Sequence, residues 1–470
     1  MPVSFKRLPM LLLLGTLGVV GCTIPGPDDH RPETRPPDEA WQAALPHDGS
    51  VENLNNWWGR FQDPALTALI DATLNHHPGL DGALAAIEVA RAALTTQQAA
   101  DLPHGDASGK VSRSGNRLNP TVLSMTTTGM AVDASWELDL FGRVQRATEG
   151  ARAKVTARQA EWHGLRVTLA AEVATLYNEL RGCERLRESL TDEITSRRNS
   201  LEITRSAIQA GLVAPSEGEL ALAGLADARA QLTGQQGSCD LAVKGLVALS
   251  GMGEAALRQL LLNGTGKMAQ VAPFAVTTLP AQLLAQRPDL ASAESELVAA
   301  DAEIGVARAN RFPRFSLLGS VGAAVNTLGG LSQNNQPWSF GPALLLPMFD
   351  GGVREATVRA AHARRQAALA NYRQAVQNAV REVESALVNL ASSRQRVRDT
   401  RLAARGFAAY FAASEENWRK GGISLLALEE ARRKSIGAER AVLQLERQEV
   451  QHWINLYKSL GGGWSQGATS

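Results

Sequence analysis

The three cysteines are the side chains best placed for chemistry, and their positions point to two different uses. Cys22 follows Val19-Val20-Gly21, and Lys6 and Arg7 precede an apolar run from Leu8 to Val20. A basic start, a short apolar stretch and a small residue before Cys form the pattern at which a bacterial lipoprotein signal is cut and the new N-terminal Cys is lipidated. The stretch resembles a lipobox, so Cys22 is the expected lipidation site, and Thr23 in place of Asp after it points to the outer membrane. Cys183 and Cys239 are equidistant in sequence from Gly211, one before it and one after, each on an apolar stripe. If the chain turns back at Gly211, the two stand at equal height on antiparallel helices, whose facing Cα atoms come within about 4–5 Å. In an oxidising compartment a Cys183–Cys239 bridge is favoured over two buried thiols.

No other reactive residues assemble into a motif. The eight His residues are scattered, His76-His77 precedes Pro78 at a helix start, and there is no His-Glu-x-x-His. Gly264-Thr265-Gly266-Lys267-Met268 fails the phosphate-loop pattern, which requires Gly in place of Leu261 and a hydroxyl in place of Met268. The expectation is therefore no catalytic residue, no metal and no cofactor. A net charge of +1 excludes nucleic-acid binding by bulk positive charge, and a 44% hydrophobic content excludes a disordered chain. After Cys22 no apolar run approaches the roughly 18 residues of a membrane-spanning helix, so any span must be built from strands.

The elements that position these residues are legible as periods. From Met130 to Leu140 apolar residues alternate with Ala131, Asp133, Ser135, Glu137 and Asp139, which reads as a half-buried strand. From Trp162 to Leu190 the apolar spacing averages 3.5, a coiled-coil seam. No Pro lies between Pro120 and Pro215, so 143–210 reads as one helix about 100 Å long. The pattern then recurs 210 residues on: Pro78 and Pro288, Pro103 and Pro313, Glu172 and Glu382, Gly211 and Gly421, Gly251 and Gly461. We read two copies of one module. The expected organisation is a signal peptide at 1–21, a lipidated, Pro-rich extended tether at 22–60, repeat 1 at 61–270, repeat 2 at 271–460 and a tail at 461–470. Repeat 1 holds strands at about 106–117 and 126–140, a long helix at 143–210 and a return helix at 215–250. Repeat 2 holds strands at about 315–326 and 338–349 and helices at 353–420 and 424–460. Pro347 fits a bulge at a barrel rim, whereas Pro342 has no explanation at this level.

Each strand is about 11 residues, enough to cross the hydrocarbon when tilted, with Trp136, Trp338 and Phe340 as interfacial aromatics. A soluble β-layer is the alternative, but four strands and a lipidation signal argue against it. Four spanning strands cannot close a barrel, since an unpaired edge is not tolerated in lipid. An open pore then takes three or four chains.

On these residues the chain resembles the outer membrane factor family, the TolC-like channels of tripartite efflux pumps, in its lipoprotein (NodT-type) branch. The pieces that carry the resemblance are Trp57-Trp58 with Phe61 and Asp63-Pro64; Ser135-Trp136-Glu137-Leu138-Asp139-Leu140-Phe141-Gly142-Arg143; Arg287-Pro288-Asp289-Leu290; Leu346-Pro347-Met348-Phe349-Asp350; and Leu460-Gly461-Gly462-Gly463-Trp464. The resemblance implies a mixed, mostly α chain of long coiled-coil helices with four transmembrane strands. It further implies a homotrimer with a twelve-stranded barrel, continued by a periplasmic α-helical barrel. It implies a closed tip made by the turns at Gly211, Leu212, Gly421 and Gly422, on which a periplasmic adaptor (membrane fusion) protein docks, with an inner-membrane RND or major-facilitator transporter behind it. Ser216, Glu217, Glu429 and Glu430 fall at the tip, and Glu217 and Glu430 match acidic constriction positions, although Ala427 replaces a third. The expected protein is a lipid-anchored outer-membrane channel exporting drugs or other toxic small molecules, with no enzymatic activity. The outer channel of a type I protein secretion system is the alternative, and a trimeric adhesin would not duplicate a strand pair within one chain.

Overall fold

In a computed structural model the described residues are 42, 54, 57–118, 121–264, 266 and 286–464. The lipidation signal, Cys22, most of the tether and the end of the tail lie outside them, as do Thr265, Lys267 and Met268.

Capping chemistry sets the element ends. A 3₁₀ turn at Trp58–Phe61 leads to α1 (Pro64–His76), where the Asp63 carboxylate accepts from the backbone N–H of Ala65 and Leu66 and Pro64 takes the first position. Next come α2 (Pro78–Ala99), β1 (His104–Leu118), β2 (Thr121–Leu138), α3 (Arg143–Gln209), α4 (Pro215–Ser250) and α5 (Glu254–Leu261). The second half contributes α6 (Pro288–Ala309), β3 (Arg314–Leu328), β4 (Leu331–Asn335), β5 (Trp338–Leu345), α7 (Val353–Arg419) and α8 (Leu425–Ser459). Three pairs, α2 with α6, β1 with β3 and α3 with α7, begin and end at one fixed offset, the interval from Pro78 to Pro288.

The chain divides into two compact units that cut across the two sequence halves, because each half lends its strands to one unit and most of its long helices to the other. The strand unit combines Leu94–Gly150 with Ala300–Arg364. Its sheet is antiparallel in the order β1, β2, β3, with β4 and β5 both pairing on β3. The expected fourth strand, 338–349, begins at Trp338 as expected and needs correction at its far end, since β5 stops at Leu345 and leaves Pro347 outside the ladder. A strand the sequence reading did not include, β4, precedes it on the same path, the two separated at Gln336-Pro337 because Pro337 has no N–H to donate, although its carbonyl still accepts from Gly322. Pro342 now has a reason. The Gly322–Pro337 bond sets the phase of the pairing and makes Leu317–Pro342 a non-hydrogen-bonded pair, so the missing N–H faces away from β3. The second strand ends at Leu138, short of Leu140, because Asp139 turns to accept from the Gln145 N–H and cap α3.

The helical unit comprises Arg31–Ala93, Ala151–Ala299 and Arg365–Ser470. Its core gathers Trp57, Leu66, Leu69, Tyr177, Leu246, Leu257, Leu387 and Trp453. Trp57 stacks on Tyr457 at 4.9 Å between ring centres, and Trp58 meets the same ring edge-on. Cys183 and Cys239 are bonded in this core, with Cα atoms 5.5 Å apart.

Burial pushes the Tyr457 phenol up to about 12 from 10.0. A group that holds its proton more tightly folded than unfolded contributes stability that is complete below pH 10.0 and is lost as the pH rises through about 12. The helical circular-dichroism signal is expected to hold to about pH 10 and fall between there and 12, and Tyr457→Phe to move the fall to higher pH. In non-reducing mass spectrometry we expect a linked Cys183–Cys239 peptide pair, and Cys183→Ser with Cys239→Ser to cost about 2–4 kcal/mol in thermal unfolding.

Candidate functional site

The strand unit offers two contrasting faces. On one, Met130, Val132, Val321, Trp338 and Phe340 stand exposed, with Trp338 at 77% and Phe340 at 78%. Cross-strand pairing keeps them together: Val132 lies opposite Val321, and Val321 opposite Trp338. Trp136, opposite Leu317 on the same face, is half-buried and donates its indole N–H to the Asp101 carbonyl at 2.9 Å. The other face carries Asp106 opposite Asp133, Ser320 opposite Asp133, Lys110 and Glu137. A sheet with an exposed apolar face and a polar reverse suits lipid on one side and water on the other. Among the described residues, β1 pairs only with β2, and β5 only with β3.

The helical hairpins end in two turns of one design. The Gly211 N–H donates to the Ile208 carbonyl and the Leu212 N–H to that of Ala207. At the second turn Gly421 donates to Trp418 and Gly422 to Asn417. This Schellman pattern needs a left-handed residue after the helix, supplied by Gly211 at φ 72° and Gly421 at φ 76°. Leu212 is 77% exposed at the tip.

The acidic tip residues occupy different surroundings. Ser216 is exposed and Glu217 half-buried in the first turn of α4, whose N-terminal dipole favours a carboxylate. Glu430 is exposed and paired with Lys434 at 3.1 Å. Glu429 instead points at α3, where it accepts from Ser200 and pairs with Arg432, which also donates to Ser200 at 3.1 Å and lies over the Phe411 ring. One level higher, Glu193 is buried between Arg197, at 2.7 Å, and Arg440 of α8. The sequence reading missed Ser200, Arg432, Glu193 and Arg440. The Glu193/Arg197 spacing of four was visible, but the partner on a distant helix was not.

Two further polar clusters explain two of the motifs behind the family resemblance. Arg287 is buried and donates to Asp289, Glu382 and the Ser459 carbonyl, each contact near 2.8 Å. Tyr177, its phenol held well above the usual value first by burial and then by its hydrogen bond to Asp63, lies beneath the Arg181 guanidinium, which reaches the Leu261 carbonyl at 3.1 Å. Among the described residues no group of three His, Cys, Asp or Glu is placed to hold a metal.

The family described as "Outer membrane efflux protein" matches the chain twice, over residues 69–252 and 279–462, two stretches related by the same offset as the helices and strands. The chain is similar to the solvent efflux pump outer membrane protein SrpC of Pseudomonas putida, with 31% identity over 98% of this chain and 99% of that protein. It is similar to outer membrane protein OprJ of Pseudomonas aeruginosa at 31%, over 97% and 96% of the two chains. The solved structure of the outer-membrane channel OprN superposes with a TM-score of 0.82 and 29% identity, covering 92% of this chain and 99% of that one.

Arg440→Met is expected to lower the thermal midpoint, at a cost of about 1–3 kcal/mol, because it strips the buried Glu193 carboxylate of one partner. The double variant with Glu193→Leu should recover much of that loss, since the stranded charge is the source of the cost.

Proposed function

The chain belongs to the outer membrane efflux protein family, outer-membrane channels of efflux pumps, and from that premise we propose that three copies enclose one continuous duct. The observation that carries this reading is the sheet: four strand paths, two open edges and an exposed apolar face. Lipid offers no water to satisfy edge N–H and C=O groups, so the edges must pair with further copies. Three copies give twelve strand paths, wide enough to leave water inside where eight would be filled by side chains. The polar reverse face, with Asp106, Asp133 and Lys110, then lines the lumen, and the long helices extend the duct into the periplasm.

The ends of the duct follow from the same reading. Cys22 anchors the chain to the inner leaflet of the outer membrane through lipid, a role supported by its lipobox. The exposed Leu212 and the turns at Gly211, Gly421 and Gly422 receive a periplasmic adaptor, behind which an RND or major-facilitator transporter supplies the energy. Glu217 and Glu430 form carboxylate rings at the closed tip, favouring cations and holding the tip shut through bonds to neighbouring groups, so that removing them opens it. The cargo class is small apolar or amphiphilic toxic molecules, supported by the likeness to a protein named for solvent efflux. The matching family and SrpC are both named for efflux, which favours efflux over type I protein secretion.

Purified protein reconstituted in a planar bilayer should give discrete single-channel conductance that rises when Glu217→Ala and Glu430→Ala are combined. A protein that leaves bilayers electrically silent in both forms would sink the duct. A deletion strain should become sensitive to solvents and drugs while its secreted proteins stay unchanged.

A further inference from the structure

The apolar face of the sheet changes character along its length. At the end joined to the helices one rung sets Leu138 opposite Phe315 and Phe315 opposite Leu344, and the rungs beyond it carry Trp136, Val132, Val321, Trp338 and Phe340. The apolar series closes at the rung of Val111, Thr128 and Val325. Thr128 is ten positions before Leu138. At about 3.4 Å per residue that is about 34 Å along the strand, and about 25 Å across a membrane at a tilt of about 40–45°. The band therefore ends where the hydrocarbon would.

The next rung on this face is polar across its whole width. Arg113 lies opposite Thr126, Thr126 opposite Thr327 and Thr327 opposite Ser332, so a guanidinium and three hydroxyls stand in one row. Ser124, a rung further on, accepts from Arg113 at 3.4 Å, and the Thr327 and Ser332 hydroxyls are 3.0 Å apart, which fixes these side chains on a common face. Arg117 follows on β1 with Gly115 between, so no β1 side chain fills the space separating the two guanidinium groups. Both arginines are exposed. Residues 107–132 and 315–349 contain no Asp or Glu, so this end of the sheet offers neither of them a carboxylate. The helix end of the same unit differs: Arg143, Arg311 and Arg354 are paired there with Glu137, Glu355 and Asp350.

We propose that Arg113 and Arg117 bind the phosphate groups of an anionic lipid in the outer leaflet, with the hydroxyls of Ser124 and Thr126 completing the contact. The assignment rests on the duct reading above, which puts the strand turns outside the cell and this face against lipid. An arginine in mid-bilayer is costly, whereas one at the edge of the hydrocarbon reaches the headgroups and meets phosphate with a planar, two-pronged donor. One such pair per copy fixes the depth at which the sheet sits. Lys110 alternates onto the opposite face and is no part of the site.

The test is lipid retention. Detergent-purified protein is incubated with bisphosphorylated lipid A, passed through gel filtration and assayed for the lipid it keeps. The unaltered chain should keep at least about fivefold more than Arg113→Gln with Arg117→Gln, and Arg113→Lys with Arg117→Lys should fall between, since the charge stays and the two-pronged donor goes. Lys110→Gln should match the unaltered chain. Lipid A stripped of its phosphates should not be kept, and excess inorganic phosphate should not displace the bound lipid. Equal retention by the unaltered chain and the glutamine pair, or an equal loss in Lys110→Gln, overturns the inference. Displacement by inorganic phosphate overturns it as well, since the site would then be one for soluble phosphate. Should the variants misfold, the unaltered chain decides alone, because equal retention of phosphorylated and stripped lipid A refutes the site. Flotation with vesicles of phosphatidylethanolamine and phosphatidylglycerol separates the two readings. A chain that floats yet keeps no more phosphorylated than stripped lipid removes this inference only, whereas one that never floats removes the duct and the lipid site together.

Discussion

An edge strand carries a row of N–H and C=O groups that must find partners, and in hydrocarbon those partners can only be other strands. Nearly every feature of the strand unit answers to this constraint. The two hairpins and the β2–β3 ladder satisfy the interior, and the exposed apolar face suits lipid and not water. The residue types agree: aromatics and branched side chains stand on the apolar face, with Asp, Ser and Lys on the reverse. The same constraint decides where Pro is allowed. Pro337 breaks the fourth path, whereas Pro342 survives because its missing donor faces outward.

The helical unit answers to a different constraint, the need to hold long helices in one axial register. Apolar seams at a spacing of 3.5 bring helices together but let them slide by a turn. Discrete polar ties remove that freedom. Arg287 reaches a neighbouring helix and the end of α8 at once, Tyr177 fixes the chain entry at Asp63, and Asn178 donates to the Arg447 carbonyl at 3.0 Å. Each is costly to bury and therefore tolerable in one alignment only. The long helices accordingly carry polar ties at the tip end and near the core, and between them Arg394–Glu449 and Arg401–Glu446 join α7 to α8.

Much of this was legible in the amino-acid sequence because it depends on period and punctuation. The alternation from Met130 toward Leu140, the Pro-free run of 67 helical residues and the Gly that ends each descent are local facts. The equal heights of Cys183 and Cys239 follow from counting along two helices about Gly211. What escaped was the identity of cross-helix partners. Glu429 and Glu430 are adjacent in the chain, yet one turns to Ser200 and the other to Lys434, a difference set by helix phase against a distant neighbour. The division into two units was equally hidden, since it cuts through α3 and α7, where the sequence shows no change.

The bond between Cys183 and Cys239 encloses the last part of the descent to the first tip and most of the climb back, its two ends standing 56 positions apart in sequence. A protease that nicks the Leu212-Val213-Ala214 segment would leave two polypeptides still held as one. The chain ends produced by the cut would stay close together, each on a helix packed as before. The most exposed point of the first hairpin can thus be damaged without the hairpin being lost.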